Sequence, residues 1–198
     1  MSIYKLKSSY RTLLRPLAGR LAARGLNANR VTLIAAVVSV AVGGLLALNP
    51  EPALFALVPI WLLLRMVFDA VADMLVREYG QKSPLGGYLV EIAGVVADAA
   101  LYAPFALIAP FSLPWVAAIV FLAMLTEFTG VLGIVHGKGR SDEGPMGKAD
   151  RALLFGAIGA LVAVFGTLPA WTWHIQPMAC VLLAWTVVNR VRAGLTGP

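Results

Sequence analysis

The chain reads as six long apolar runs separated by short polar pieces. The runs are approximately Val31–Leu48, Ala53–Glu78, Gly86–Ile108, Leu113–Ile134, Ala152–Thr167 and Ile175–Val191. Each is near the roughly 20 residues a helix needs to cross the hydrocarbon of a bilayer. The runs are continuous rather than alternating, which argues for helices over the strands of a barrel. Ahead of them, Leu13, Leu14, Leu17 and Leu21 fall at helical spacing with basic residues interleaved. That pattern predicts an amphipathic helix lying on a membrane surface. The expected fold is an all-α integral membrane protein with six transmembrane helices. It forms a single domain over 1–198, with an interfacial helix over 1–28 and a six-helix bundle over 29–198.

Composition narrows the function classes. Of 198 residues, 60% are hydrophobic and 13% charged. Soluble domains carry about 45–50% apolar and about 25% charged residues. A soluble enzyme and a disordered chain are therefore excluded. The single Cys180 removes any disulfide framework or multi-cysteine metal site.

Charge sets the orientation. The net charge is +6, a balance that in a membrane protein reflects cytoplasmic loops and anionic lipid rather than nucleic acid. The segments Asn49–Pro52, Ala109–Ser112 and Leu168–Gln176 carry no Lys or Arg. All 16 basic residues lie in the other connections and termini, or, for Arg65, within a span. Residues 1–30 alone hold Lys5, Lys7, Arg11, Arg15, Arg20, Arg24 and Arg30 and no acid. Both termini are expected in the cytoplasm.

Ionisable groups inside spans are costly and are candidates for function. Here they are Arg65, Asp69, Asp73, Glu91, Asp98 and Glu127. Asp69 and Asp73 are four residues apart, about 40° around a helix at about 100° per residue. Arg77 continues that face, and Glu91 and Asp98 nearly eclipse one another on the next run. The short connection Tyr79–Leu85 makes these two spans antiparallel neighbours. Four carboxylates, Asp69, Asp73, Glu91 and Asp98, are thus expected to converge between two helices and open toward the cytoplasm. Unpaired, they would repel one another. A hard divalent cation removes the conflict and commonly accompanies phosphate chemistry. The competing reading pairs Asp69, Asp73 and Glu91 with Arg65 and Arg77 as structural ion pairs. Glu127 has no evident basic neighbour in sequence.

At these residues the chain resembles the CDP-alcohol phosphatidyltransferase family, whose pattern is DxxDGxxAR…GxxxDxxxD on the second and third spans. The resemblance runs over most of the chain. It takes in the basic N-terminal helix, Asn29 and Thr32 at the start of span one, the acidic spans, and a polar stretch with Gly147, Lys148, Asp150 and Arg151. Asp69 takes the first Asp and Arg77 the Arg, while Ala72, Asp73 and Val76 stand at the second Asp, the Gly and the Ala. The second half, read to end at Asp98, puts Val90 and Gly94 at its other two positions. Read instead from Gly86 or Gly87, it runs to Val90 and Gly94, or to Glu91 and Val95.

The resemblance implies a phospholipid-synthesis transferase. It would move a phosphatidyl or phospho-alcohol group from a CDP-linked donor to an alcohol acceptor and release CMP. Mg²⁺ or Mn²⁺ would be held by Asp69, Asp73, Glu91 and Asp98, the middle two replacing the missing ligands, and Asp98 would take the acceptor proton. Arg77, Gly86, Gly87, Lys148 and Arg151 would bind nucleotide and phosphate. The partners implied are the two substrates and membrane lipid, not nucleic acid; members are often homodimers. The location implied is a bacterial inner membrane, with the site facing the cytoplasm. The alternative is a catalytically inactive relative that binds lipid, nucleotide or a partner enzyme. An unrelated small transporter ranks behind both, because no inverted repeat is evident.

Overall fold

The structure is a computed structural model that describes residues 3–196, with side chains over 12–195. Of the basic N-terminal set, Lys5, Lys7 and Arg11 therefore have side chains outside the described residues.

Seven α-helices follow one another: α1 (Ile3–Ala23), α2 (Ala28–Leu48), α3 (Leu57–Glu78), α4 (Pro84–Tyr102), α5 (Leu113–Val135), α6 (Lys148–Phe165) and α7 (Ile175–Thr196). Short 3-10 turns at Pro52–Ala56, Ala103–Leu107 and Ala170–His174 join some of them. The described residues contain no strand. The starts are legible locally. Asn27 caps α2 by accepting from the Asn29 amide, and Ser83 caps α4 by accepting from the Gly86 amide. Pro84 and Pro114 sit in first turns, where their missing N–H costs nothing. Gly166, at φ 71°, ends α6 in the left-handed conformation that a side chain disfavours.

The protein is an all-α integral membrane protein. Among the described residues, five segments have the length and hydropathy of a crossing helix: Ala28–Leu48, Pro52–Glu78, Pro84–Leu107, Leu113–Val135 and Ala170–Leu195. The sixth expected span falls short of that composition, because α6 opens on Lys148, Asp150 and Arg151 and has 18 residues. It still belongs to the bundle, burying Phe155, Ile158 and Val162. Leu48, Leu63, Leu153 and Val164 are among many large apolar side chains left on the outer surface, as expected for a lipid-facing surface.

Two buried clusters hold the helices together. One centres on Phe55, Tyr102, Phe105 and Phe155, with Tyr102 stacked on Phe155 at 4.0 Å between ring centroids. Phe105 meets Phe55 and Phe155 edge-on, at 5.1 Å each. The other packs Leu14 and Ala18 of α1 against Val71, Met74 and Leu75 of α3. This divides the expected apolar stripe of α1: Leu14 is buried in the bundle, whereas Leu13 stays 76% exposed. Arg15 ties the same helix to Glu78 at 2.9 Å.

Helices α2 and α4 approach until backbone touches backbone. A Cβ on Gly43 would stand 2.0 Å from the carbonyl oxygen of Ala100. Small residues permit such contact between membrane helices, where no hydrophobic drive separates protein from lipid.

Candidate functional site

Where α2, α3 and α4 diverge, they leave a cavity of about 610 Å³. The loop between α3 and α4 builds one wall and is fixed to α2 by side-chain amides. Gln81 accepts from the Ala28 amide at 2.8 Å and donates to the Leu26 carbonyl at 3.2 Å. Asn29 donates to Ser83 at 3.3 Å. Gly86 lies beneath this contact; a Cβ there would stand 2.7 Å from Asn29 Oδ1, so the Asn29 side chain would have to shift. Gly87, one residue on, borders the cavity and has open space where a Cβ would be.

Three of the four expected carboxylates, Asp69, Asp73 and Glu91, line this cavity. A fourth acid, Asp142, comes from the loop between α5 and α6. Each is met by a basic side chain. Lys148 Nζ reaches Asp69 at 2.6 Å, and Arg77 reaches Asp73 at 2.5 Å across one helical turn. Arg140 forks onto both oxygens of Glu91, at 3.0 and 3.1 Å, and also pairs with Asp142. Ala72 and Gly94 also line the wall, at positions where the resembled pattern carries acids, and Val90 lies beside them.

Asp98 stands deeper than the other three, at a smaller cavity that adjoins the first. It is 5% exposed and does not line the main cavity. One oxygen accepts from Arg65 at 2.6 Å, the other from Arg151 at 3.0 Å. Arg65, at the Asp98 depth of α3, thus takes Asp98 rather than Asp69 as its ion-pair partner. Arg151, expected at a ligand phosphate, has no exposed side-chain surface. It points inward because two buried acids need its charge: besides Asp98 it pairs with Glu127 at 2.8 Å. Arg77 keeps a 70% exposed side chain and stands outside the lining.

Glu127 acquires three basic neighbours, none adjacent in sequence. Arg140 lies at 2.5 Å, Arg151 at 2.8 Å and Arg190 at 3.7 Å. Arg140 is a residue bordering the site that sequence reasoning passed over. It arrives because Gly130 and Gly133 let the polar loop lie directly on α5. Cβ atoms there would stand 2.7 and 2.5 Å from the carbonyl oxygens of Ser141 and Gly139. Two glycines three apart on the last turns of an apolar helix were the available signal. Burial alone would lower the Arg140 guanidinium, but the carboxylates of Glu91, Glu127 and Asp142 more than offset it, leaving it above its ordinary value.

A second cavity, of about 220 Å³, opens between α3 and α6. It is walled by Leu62, Met66, Ala149 and Ala152, borders Asp98, and shares Arg65, Asp69 and Lys148 with the first. The Asp69–Lys148 pair therefore stands between the two. Chemically, the site offers paired charges, an open glycine-walled face and an adjoining apolar recess. This suits an amphipathic ligand with an anionic middle. A divalent metal fits less well. Among the described residues, no three carboxylate, histidine or cysteine side chains come together closely enough to hold one.

No family model matches the chain. Two solved structures of the phosphatidylinositol phosphate synthase PgsA1 of Mycobacterium tuberculosis share its fold, each with a TM-score of 0.71 over 92% of this chain at 18% identity. One has CDP-DAG bound and is covered over 94% of its length. The other is in complex with manganese and citrate and is covered over 89%. In sequence, the chain is 40% identical to the inner membrane protein YnbA of Escherichia coli strain K12 over 195 residues, which is 98% of this chain and 97% of that protein. The chain therefore belongs to the family of the inner membrane protein YnbA and is built on the fold of PgsA1.

Proposed function

We propose that this protein is a CDP-alcohol transferase of phospholipid synthesis, moving a phosphatidyl or phospho-alcohol group to an alcohol acceptor with release of CMP. The observation that carries the reading is the cavity of about 610 Å³ walled by Asp69, Gly86, Gly87 and Lys148, in a chain with the fold of an enzyme solved with CDP-DAG. In this reading the nucleotide lies along the glycine face of α4. The diphosphate meets Lys148 and Lys82. The lipid part leaves through the recess between α3 and α6. The acceptor hydroxyl approaches across the Asp69–Lys148 pair.

A divalent cation is implied by the neighbour solved with manganese. Its expected ligands here are Asp69, Asp73, Glu91 and Asp98. They do not assemble as a metal-binding group among the described residues, so no step is routed through a metal. Asp98, the expected base, has each oxygen engaged by an arginine. That engagement favours the second reading, an inactive relative that keeps the binding site. In either case the protein resides in the bacterial inner membrane, both termini and the cavity facing the cytoplasm.

The test is CMP release by the purified protein in lipid–detergent micelles, with CDP-diacylglycerol and a panel of polar alcohols. It is run with Mg²⁺, with Mn²⁺ and with EDTA. Release that depends on the alcohol establishes the transferase. Binding of CDP-diacylglycerol without release establishes the inactive relative. Neither binding nor release sinks both.

A further inference from the structure

Each acid around the cavity is met by a basic side chain. Asp69, Asp73, Glu91 and Asp142 meet Lys148, Arg77 and Arg140 within ion-pair distance. Among the described residues these carboxylates do not gather closely enough to hold a metal ion, and two cations at one carboxylate repel each other. The Lys148 ammonium has instead taken a place in the acidic wall. It sits 2.6 Å from Asp69, and a Cβ on Gly94 would start 3.9 Å from it.

An ammonium carries three N–H donors. Asp69 takes one, and the Lys148 side chain remains 41% exposed where two cavities meet. A second observation points to an anionic ligand. Lys82 borders the same cavity and has no acidic partner within ion-pair distance among the described residues.

We propose that Lys148 supplies the fixed positive charge that receives a diphosphate ligand in this cavity, in the role a divalent cation would otherwise fill, so that binding here requires no metal. This rests on reading the cavity as a nucleotide-diphosphate site. The ammonium bridges Asp69 and the diphosphate, as a metal ion bridges protein carboxylate and phosphate. Arg77 and Arg140 keep the remaining acids from repelling the ligand. An Arg would not serve equally, because a planar fork spans two oxygens of one partner rather than bridging as a compact point charge.

The experiment measures CDP-diacylglycerol binding to the full-length protein in micelles, in EDTA and in millimolar Mn²⁺, with Mn²⁺ binding followed separately by electron paramagnetic resonance. The expected result is equal affinity in both conditions and no stoichiometric Mn²⁺ signal. Lys148→Ala should weaken binding in EDTA by about tenfold, the loss of one charged hydrogen bond. Because it frees Asp69, Mn²⁺ should restore part of that loss. Affinity that vanishes in EDTA and returns with one bound Mn²⁺ overturns this inference while leaving the transferase reading intact. Absence of CDP-diacylglycerol binding in both conditions overturns the transferase reading along with it. The Mn²⁺ titration of the unmodified protein decides the point even if the variant fails to fold.

Discussion

Arg151 Nη2 stands 2.8 Å from Glu127 Oε1 on a side chain with no exposed surface. The same nitrogen reaches Asp98 at 3.0 Å, and Asp98 in turn holds Arg65. The Arg151 guanidinium also donates to Thr126 Oγ1 at 3.1 Å. This chain of buried charge ties α3, α4, α5 and α6 together. Its members are worth little against an apolar core of the same volume, but removing one strands the others. Glu127→Gln is expected to cost about 3–5 kcal/mol, read as a fall in the midpoint of thermal unfolding in micelles. Glu51→Gln, at an exposed position, should stay within about 0.5 kcal/mol. Equal behaviour of the two would show that the network carries no structural weight.

Helix α2 offers a sharper contrast between neighbours. Gly43→Ala places a methyl 2.0 Å from the Ala100 carbonyl oxygen, whereas Gly44→Ala meets nothing within 4 Å. The first should destabilise by about 1–3 kcal/mol or more, since a backbone rather than a flexible side chain must move. The second should be neutral or stabilising by up to about 1 kcal/mol, from helix propensity. The comparison is a pair of melting curves in one detergent.

Arg140 links the polar loop to α4 and α5. Arg140→Ala should lose about 1–3 kcal/mol, from charged hydrogen bonds left unmade. Its guanidinium is raised above its ordinary value. A raised group contributes its stability in full below the unfolded value and loses it only as pH climbs through the folded one. For an arginine that window lies above about pH 12. The Arg140→Ala cost is therefore expected to be the same at about pH 6 and about pH 9. A cost that grew or shrank across this interval would place the clamp on another group.

Gly87 tests occupancy of the cavity. Its Cβ position is open and borders the cavity. Gly87→Leu should leave the melting midpoint unchanged and weaken CDP-diacylglycerol binding by about tenfold, equivalent to about 1.4 kcal/mol. Unchanged binding would put the ligand at another end of the bundle.

The helices were legible in the sequence because lipid imposes its condition locally. Every backbone amide must be satisfied within the segment that carries it, so an apolar run of sufficient length is a helix wherever it lies. That condition yielded α2 to α5 and α7, with α5 nearly at its observed bounds, but the expected run overshot the end of α4 at Tyr102 and stopped short of the end of α7 at Thr196. It was weaker for α6, whose first turn carries the charges Lys148, Asp150 and Arg151. It also placed Asp69, Asp73 and Glu91 around one opening, since those positions follow from helical period and a short connection. What the period cannot carry is pairing across the bundle. Arg140 meets Glu91 from 49 residues away, and Lys148 meets Asp69 from 79. Arg190 and Glu127 are joined by the packing of α5 against α7. Buried charges take whichever counter-charge the tertiary structure delivers, because an unpaired one is too costly to leave in place. The sequence therefore determined where the acids stand. The Asp73–Arg77 pair follows from helical period as well, but only the tertiary structure decided that Asp69, Glu91, Asp98 and Glu127 would be answered by a lysine or an arginine from distant parts of the chain.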